Sequence, residues 1–307
     1  MTSSAARKTA QMALRHTKSG IAYEVQTHEK APFKETVLAV FIHGNGLCRA
    51  VYRQMIHNIG ALNKDRRIYT ISVDIAGHGD SSQELWTKRT KVSEFAVDIE
   101  NCVDDFLQSQ NDKVDRVVLV GHSIGAAMGM FAQRNRKLFH SAFLLEPMLY
   151  HAFEGHPEHL IQATMRRKSR WMDKETAFKQ IRSRGMFSVW EEQCVRDYIE
   201  VGTRPADDGQ GVSLSCSPAC EAAVFRMDIS EVYPHLPTLG FQKVMVVAGA
   251  DSEHLPPDYT TGIAKNFVPE GDSLIVEKAM HIPMCEKPGL MAEHFLKFLD
   301  NHPKSKL

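Results

Sequence analysis

Hydrophobic residues along this chain occur in two patterns, short continuous runs and helically spaced stripes, which alternate along its length. Six mostly apolar runs are typical of strands buried on both faces of a sheet; they span residues 36–42, 67–73, 117–120, 141–145, 243–248 and 273–276. Residues 51–62, 94–108 and 289–299 instead place apolar side chains on one face of a helix. Strands that alternate with helices in this way predict an α/β fold, with a mostly parallel central sheet flanked by helices.

The N-terminal part of the chain has weaker signals. Residues 1–19 show no clear period and are predicted to be a lead-in that precedes the core. Residues 20–26 alternate between apolar and polar side chains, which indicates a half-buried strand at the edge of the sheet. We therefore expect an α/β core made of residues 20–147 and 237–300.

The stretch between the two halves of this core, residues 148–236, has a different pattern. Charged residues cluster at 165–170, helical segments recur, and strand alternation is nearly absent. A break rich in glycine, aspartate and proline follows at 204–211. This pattern predicts a helical cap inserted into the core and lying over the edge of the sheet.

A serine flanked by glycines follows one of the apolar runs. Residues 117–120 lead into Gly121, Ser123 and Gly125, and the residues that follow favour a helix. On such a tight turn the serine backbone is strained, and a side chain at either glycine position would collide with the neighbouring strand or helix. The turn raises the hydroxyl of Ser123 above the sheet edge, where the amide of Ile124 can stabilise an oxyanion. The pattern predicts that Ser123 is a catalytic nucleophile.

Loops after other predicted strands supply candidate partners for this serine. The glycine-rich residues 43–47 follow a strand, and the amide of Asn45, or alternatively that of Gly46, is the expected second oxyanion donor. His281 lies just beyond the last strand, where a general base is needed to activate the serine.

The residues alone do not decide which acid orients this histidine. A carboxylate in that role holds the histidine tautomer and stabilises the imidazolium that forms during catalysis. Asp251 follows the penultimate strand, and Glu146 ends the strand after the nucleophile. Both positions respect the chain order of serine, acid and histidine.

Composition narrows the classes of partner and cofactor. The chain has 307 residues with 37 basic and 37 acidic side chains, so no nucleic-acid-binding surface is expected. No apolar run reaches the length of about 18 residues that a membrane span needs, so no transmembrane segment is expected. Six scattered cysteines suit a reducing compartment. Cys216 and Cys220 have the spacing of half a metal site, but no matching second pair follows, so no metal is expected.

The last three residues, Ser305, Lys306 and Leu307, match a peroxisomal targeting signal in both identity and position. They end a short polar tail at residues 301–307. We therefore expect a peroxisomal location and binding of this tripeptide to the peroxisomal import receptor.

Four motifs, taken in order, resemble those of the α/β-hydrolase superfamily. They are residues 43–46, 74–79, 121–125 and 279–281, which read HGNG, DIAGHG, GHSIG and AMH. The resemblance extends from about residue 20 to residue 300. It implies an α/β-hydrolase fold with an inserted helical cap.

The cap stretch and the terminal tripeptide look more narrowly like the fungal peroxisomal lipase-like and acyl-CoA hydrolase branch, in particular the AK-toxin type of host-selective toxin cluster. The matching positions are Arg166, Trp171, Ser183, Arg184, Phe187, Trp190, Tyr198, Gly202, residues 214–218, Glu221 and Ala222. This resemblance implies an ester or CoA thioester of a fatty-acid-like or polyketide intermediate as substrate. Ser252 occupies the superfamily's usual acid position. In the acyl-CoA hydrolases the acid corresponds instead to Glu146, so the resemblance favours Glu146 over Asp251.

These features predict a serine hydrolase of the esterase, lipase or acyl-CoA thioesterase type. It would act on a small-molecule acyl substrate through an acyl-enzyme and need no metal or organic cofactor. The same residues also suit acyl transfer to an alcohol or amine, and only the products distinguish the two reactions. The alternative from another class is a non-catalytic protein that binds a small molecule on the same fold.

Overall fold

The computed structural model describes residues 12–149, 158–253, 257–268 and 271–301. The strands are β1 (Ala13–His16), β2 (Ala22–Glu29), β3 (Glu35–Ile42), β4 (Arg66–Val73), β5 (Arg116–His122), β6 (Ser141–Leu145), β7 (Arg170–Trp171), β8 (Thr203–Pro205), β9 (Val212–Leu214), β10 (Lys243–Gly249) and β11 (Asp272–Val276). The helices are α1 (Arg53–Leu62), α2 (Val92–Gln108), α3 (Ile124–Arg136), α4 (Glu158–Arg166), α5 (Lys174–Arg182), α6 (Glu192–Gly202), α7 (Pro218–Phe225), α8 (Pro257–Lys265), α9 (Pro283–Glu286) and α10 (Pro288–Asp300). Short 3₁₀ helices span Arg49–Tyr52, Trp86–Lys88, Gly185–Ser188 and Ser230–Thr238.

One large sheet organises the described part of the chain. Its strand order is β1-β2-β4-β3-β5-β6-β10-β11. Every neighbouring pair from β4 onward is parallel, whereas β2 is antiparallel to both β1 and β4. The predicted mostly parallel sheet is therefore confirmed, and its parallel strands all end at one edge.

The side chains of β3 show why this sheet needs helices on both faces. The odd-numbered residues from Val37 to Phe41 pack into one apolar cluster with α1 and α10. The even-numbered residues from Leu38 to Ile42 pack into the opposite cluster with α2 and α3. A strand whose two faces are both buried has to be apolar at every position, because successive side chains point to opposite faces.

The N-terminal edge of the sheet differs from the prediction. Residues 13–16 fall in the predicted lead-in, yet they form β1, so the sheet begins before residue 20. β2 is consequently the second strand of the sheet instead of its edge, and it is almost wholly buried. Its polar residue Glu24 does not mark a solvent face, because its carboxylate pairs with Arg53 at 2.7 Å.

The chain leaves the large sheet after β6 and returns at the neighbouring strand β10. We call residues 158–238 of this excursion the inserted segment. It contains α4 to α7, as the predicted helical cap requires, but it also contains a small antiparallel sheet of order β7-β9-β8. The sequence did not predict this small sheet, since strands of two or three residues have no detectable period.

Two further expectations concern membranes and targeting. Among the helices that the structure describes, none is both long and apolar enough to cross a membrane. The predicted targeting residues Ser305, Lys306 and Leu307 lie outside the described residues. Their role therefore stays a prediction.

Candidate active site

Ser123 lies on the sharp turn between β5 and α3. Its φ of 53° is in the left-handed region, the strained backbone that the sequence predicted here. A Cβ added at Gly121 would come within 2.6 Å of the Cα of Ala126, in the helix that follows. One added at Gly125 would collide with the main-chain carbonyl of Ile42 at the end of β3. The predicted need for both glycines is confirmed, and the turn presents Ser123 at the edge where the parallel strands end.

Glu146 follows β6 directly and lies beside the serine, because the Ser123 amide donates to the Leu145 carbonyl at 3.1 Å. The side chain of Glu146 is 0% exposed. Its Oε1 accepts a hydrogen bond from the amide of Gly249 at 2.6 Å, and its Oε2 accepts one from the hydroxyl of Ser252 at 2.8 Å. Donors on both oxygens fix the orientation of this carboxylate.

His281 follows β11 and contacts this carboxylate. Its Nδ1 lies 3.2 Å from Oε2 of Glu146. The main-chain carbonyl of His281 also accepts a hydrogen bond from Nε2 of His122 at 3.0 Å. Because His122 precedes Ser123, the histidine, the carboxylate and the serine all meet at one edge of the sheet.

Asp251, the other candidate acid, lies apart from this arrangement. It is exposed, and its amide donates to the Ala279 carbonyl at 3.0 Å. Its side chain makes no hydrogen bond or ion pair with any residue that the structure describes. Of the two carboxylates that the residues left open, the structure brings Glu146 to His281.

The loop at residues 43–47, after β3, passes close to the nucleophile. A Cβ added at Gly44 would come within 3.1 Å of the Cβ of Ser123. The amide of Gly46 donates to Nε2 of His78 at 3.1 Å. The amide of Gly46, the alternative oxyanion donor, is therefore already engaged in a hydrogen bond to His78.

Asn45 and Ile124 lie where oxyanion donors are expected. Ile124 begins α3 directly after Ser123, and Asn45 follows the glycine that packs against the serine. Within the described ranges, neither amide donates a hydrogen bond. Amides at the start of a helix also carry its positive dipole end. The roles of both N–H groups as oxyanion donors stay predictions, and neither group is engaged elsewhere in the described residues.

The inserted segment holds the 43–47 loop in place. The hydroxyl of Tyr198 donates to the Gly46 carbonyl at 3.1 Å. The side-chain amide of Asn45 donates to the main-chain carbonyl of Glu221 at 2.9 Å. The carboxylate of Glu221 in turn pairs with Arg167 at 2.5 Å. The position of the loop next to the nucleophile thus depends on residues of the inserted segment.

A family model for the alpha/beta hydrolase family matches residues 39–294. The match includes Ser123, Glu146 and His281. The chain belongs to the alpha/beta hydrolase family. The predicted α/β-hydrolase fold is therefore confirmed.

The hydrolase is similar over most of its length to known proteins. A Mycoplasma genitalium protein, provisionally named esterase/lipase 2, is 22% identical over 276 residues, 90% of this chain and 93% of that protein. The peroxisomal alpha-beta-hydrolase Lpx1 of Saccharomyces cerevisiae superposes with a TM-score of 0.74 at 18% identity, over 97% of this chain and 90% of that one. The thioesterase domain from the curacin biosynthetic pathway superposes with a TM-score of 0.68 at 18% identity, over 94% of this chain and 99% of that one. At these identities, the two structures show a shared fold.

Removing the hydroxyl of Tyr198 is expected to slow the hydrolase without weakening substrate binding. In Tyr198→Phe the Gly46 carbonyl loses a buried donor, which costs about 1 kcal/mol of stability and loosens the loop beside Asn45. We expect kcat to fall by about tenfold while KM changes by less than about twofold. Steady-state kinetics on an ester or thioester substrate measures both constants.

Tyr233→Phe is the matched control for this variant. The hydroxyl of Tyr233 lies near the surface, 3.0 Å from that of Tyr259, so its removal leaves the 43–47 loop untouched. Thermal unfolding should show that both variants are folded. Equal kcat values for the two variants would contradict a role of Tyr198 in placing the loop.

Three side chains that support this site were not among the predicted site residues. Ser252, Tyr198 and His78 each hydrogen-bond to a residue of the site. The position of Ser252 offered a signal, because it is where the superfamily usually has its acid. Tyr198 and His78 come close to Gly46 only through the tertiary fold, so no local pattern in the sequence identifies them.

Proposed function

We propose that this hydrolase cleaves an ester or CoA thioester of a fatty-acid-like or polyketide intermediate, through an acyl-enzyme on Ser123. The observation that supports this most directly is the 3.2 Å contact between His281 and Glu146, beside a serine on a strained turn. A buried carboxylate that engages one nitrogen of a histidine leaves the other nitrogen to accept the proton of a nucleophile.

Glu146 sets the state of the general base. Its carboxylate accepts a hydrogen bond from Nδ1–H of His281, which fixes the tautomer whose lone pair is on Nε2. Nε2 removes the hydroxyl proton of Ser123 as Oγ bonds to the acyl carbon. The imidazolium then gives this proton to the leaving alcohol or thiol, and the carboxylate stabilises its charge in the interval.

In the second half of the reaction, water hydrolyses the acyl-enzyme with the help of the same residues. His281 removes a proton from water as the water oxygen bonds to the acyl carbon, and it returns that proton to Oγ of Ser123 as the acid departs. Each tetrahedral intermediate has one negative oxygen, which the amides of Asn45 and Ile124 stabilise. Protons and bonds balance over the cycle, since one water is consumed and one acid and one alcohol or thiol are released.

The similar proteins support this class of substrate. Their names refer to an esterase or lipase and to a thioesterase domain, both of which act on acyl groups. The resemblance at positions between 166 and 222 supports a fatty-acid-like or polyketide intermediate of peroxisomal secondary metabolism, as in toxin biosynthesis. Lpx1, which is named as peroxisomal, is consistent with that setting.

Labelling with a fluorophosphonate tests the nucleophile. We expect one adduct per chain, on Ser123, because only an activated serine displaces fluoride at a useful rate. Intact mass and peptide mapping locate the adduct, and Ser123→Ala is the unlabelled control. A panel of acyl-CoA thioesters with detection of the released thiol then defines the acyl chain. Folded wild-type protein that takes no label would contradict the proposal and favour a non-catalytic binding protein.

We also propose that the hydrolase is a peroxisomal protein, recognised through Ser305, Lys306 and Leu307. A fluorescent protein fused to the N-terminus of the chain is expected to coincide with a peroxisomal marker in yeast cells. A fusion whose final three residues are reordered to Leu-Ser-Lys keeps the composition but not the signal, so it should remain diffuse. Peroxisomal fluorescence from the reordered fusion would contradict recognition of the tripeptide.

A further inference from the structure

Two thiols and an imidazole form a cluster behind the 43–47 loop. The candidate ligand atoms of His78, Cys216 and Cys220 all lie within 4.8 Å of one another, and all three residues are buried. His78 belongs to the loop after β4, whereas the two cysteines flank the start of α7. The cluster therefore joins the core to the inserted segment, and none of its members takes part in the proposed reaction.

We propose that this cluster binds one thiophilic divalent cation, such as Zn²⁺ or Cd²⁺, and that the bound cation inhibits the hydrolase. Two thiolates and one imidazole are a ligand set that these cations bind tetrahedrally, with water at the fourth position. Zn–S bonds of about 2.3 Å place the two sulfur atoms about 3.8 Å apart. Ligand atoms that already lie within 4.8 Å of one another reach this arrangement through small side-chain rotations.

His78 is already in the state that a metal ligand requires. Its Nδ1 lies 3.1 Å from the Ala76 carbonyl, and its Nε2 accepts a hydrogen bond from the Gly46 amide. The proton is therefore on Nδ1 and the lone pair is on Nε2, the pattern common in metal-binding histidines.

The thiols supply the charge that the cation needs. Cys216 and Cys220 are buried and are not joined in a disulfide. Binding breaks two S–H bonds, forms two sulfur–metal bonds and releases two protons to solvent. One divalent cation with two thiolates has no net charge, which makes its burial favourable compared with that of an isolated ion. The nearby Arg167 and Glu221 form an ion pair at 2.5 Å. The charges of this pair cancel, so it adds no net charge to the site.

Inhibition follows from the hydrogen bond that the cation replaces. The lone pair of His78 Nε2 now accepts from the amide of Gly46. When this lone pair binds the cation, the Gly46 amide loses its acceptor, and the 43–47 loop loses one of its hydrogen bonds to the core. Asn45, the proposed oxyanion donor, precedes Gly46 directly. This inhibitory effect rests on the proposed function, whereas binding of the cation does not.

Titration of the full chain with Cd²⁺ tests the binding site. After reduction with a phosphine and removal of bound metal, we expect one equivalent of Cd²⁺ to produce the ultraviolet charge-transfer band of a cadmium thiolate. Cys216→Ser and Cys220→Ser should each weaken binding by at least about 100-fold. Mg²⁺, which prefers oxygen ligands, should not compete.

Cys194→Ser is the matched control, because Cys194 lies in a different group of buried thiols with Cys285 and Cys48. This variant should keep the band and the affinity of the wild type. Circular dichroism establishes that all three variants are folded. A band that survives in both Cys216→Ser and Cys220→Ser, or that disappears in Cys194→Ser, would overturn the assignment of the site.

Turnover of an acyl substrate tests inhibition separately. We expect Cd²⁺ to lower wild-type activity at least tenfold, in step with the charge-transfer band, and EDTA to restore it. Cys216→Ser should keep its activity at Cd²⁺ concentrations that saturate the wild type. A saturated site without loss of activity would overturn the inhibitory step. A folded protein that shows the band but has no hydrolytic activity would contradict the proposed function while supporting the metal site.

Discussion

Replacing Ser123 by alanine is expected to lower kcat by about 10⁶-fold, the loss typical of a serine nucleophile that acts with a histidine and an acid. Alanine has no oxygen with which to form the acyl-enzyme, and the remaining groups have nothing to activate except water. KM should change little, because the hydroxyl contributes mainly to the transition state. Long-incubation assays of product release, with enzyme in large amount, measure the residual rate.

A matched control is available in the neighbouring strand. Ser141 begins β6, at the end far from the site, where it is buried and its hydroxyl has no hydrogen-bond partner among the described residues. Ser141→Ala should therefore keep wild-type kcat. If Ser123→Ala retained activity within about tenfold of the wild type, the acyl-enzyme mechanism would be wrong.

Replacing Glu146 by glutamine is expected to cost about 10⁴-fold in kcat, by analogy with the loss of the acid in serine proteases. The amide of glutamine can keep the hydrogen bond from Gly249 through its oxygen. Its NH₂ group then faces Nδ1 of His281 and favours the tautomer with the proton on Nε2. In that tautomer Nε2 has no lone pair, so the histidine does not accept the proton of Ser123.

Asp251→Asn is the control, because Asp251 is exposed and its structural contact is made by its backbone. This variant should stay within about twofold of wild-type kcat. Parallel steady-state assays at one pH compare the two variants directly. A larger loss in Asp251→Asn than in Glu146→Gln would transfer the acid role to Asp251.

The predictable parts of the fold are those in which the local sequence alone determines which side chains are buried. The strand at residues 141–145 has the predicted bounds, because its apolar run ends abruptly at Glu146 and Pro147. The turn at Ser123 was equally clear, since the two glycines at 121 and 125 are imposed by contacts that are too close for a Cβ.

The elements that were missed depend on partners far away in the chain. The segment at residues 13–16 has only four residues, two apolar and two polar, and it becomes a strand by pairing with the edge of β2. The small sheet of the inserted segment likewise consists of strands too short to show a period. The alternating pattern assigned Glu24 to a solvent face because its partner, Arg53, lies in a helix outside the strand.

The site was predictable to the extent that it follows the ends of strands. Ser123, His281 and both candidate acids could be located. The residues alone left Glu146 and Asp251 open, and the family resemblance favoured Glu146, which is the carboxylate that contacts His281. The grouping of His78 with Cys216 and Cys220 was hidden from spacing, because the imidazole comes from a loop distant in sequence. Physical proximity between such segments is a product of the fold and has no local signature.

The hydrogen bonds that hold the 43–47 loop limit which segments can be exchanged between this hydrolase and its relatives. His78 reaches Gly46 from the core, while Tyr198 reaches the same residue from 152 positions away in the chain. An inserted segment grafted from another hydrolase would therefore disturb the 43–47 loop, unless it also placed a hydroxyl where Tyr198 has one and a carbonyl where Glu221 has one. The inserted segment of this hydrolase is therefore not an interchangeable module, and recombination should retain an inserted segment together with the 43–47 loop that it supports.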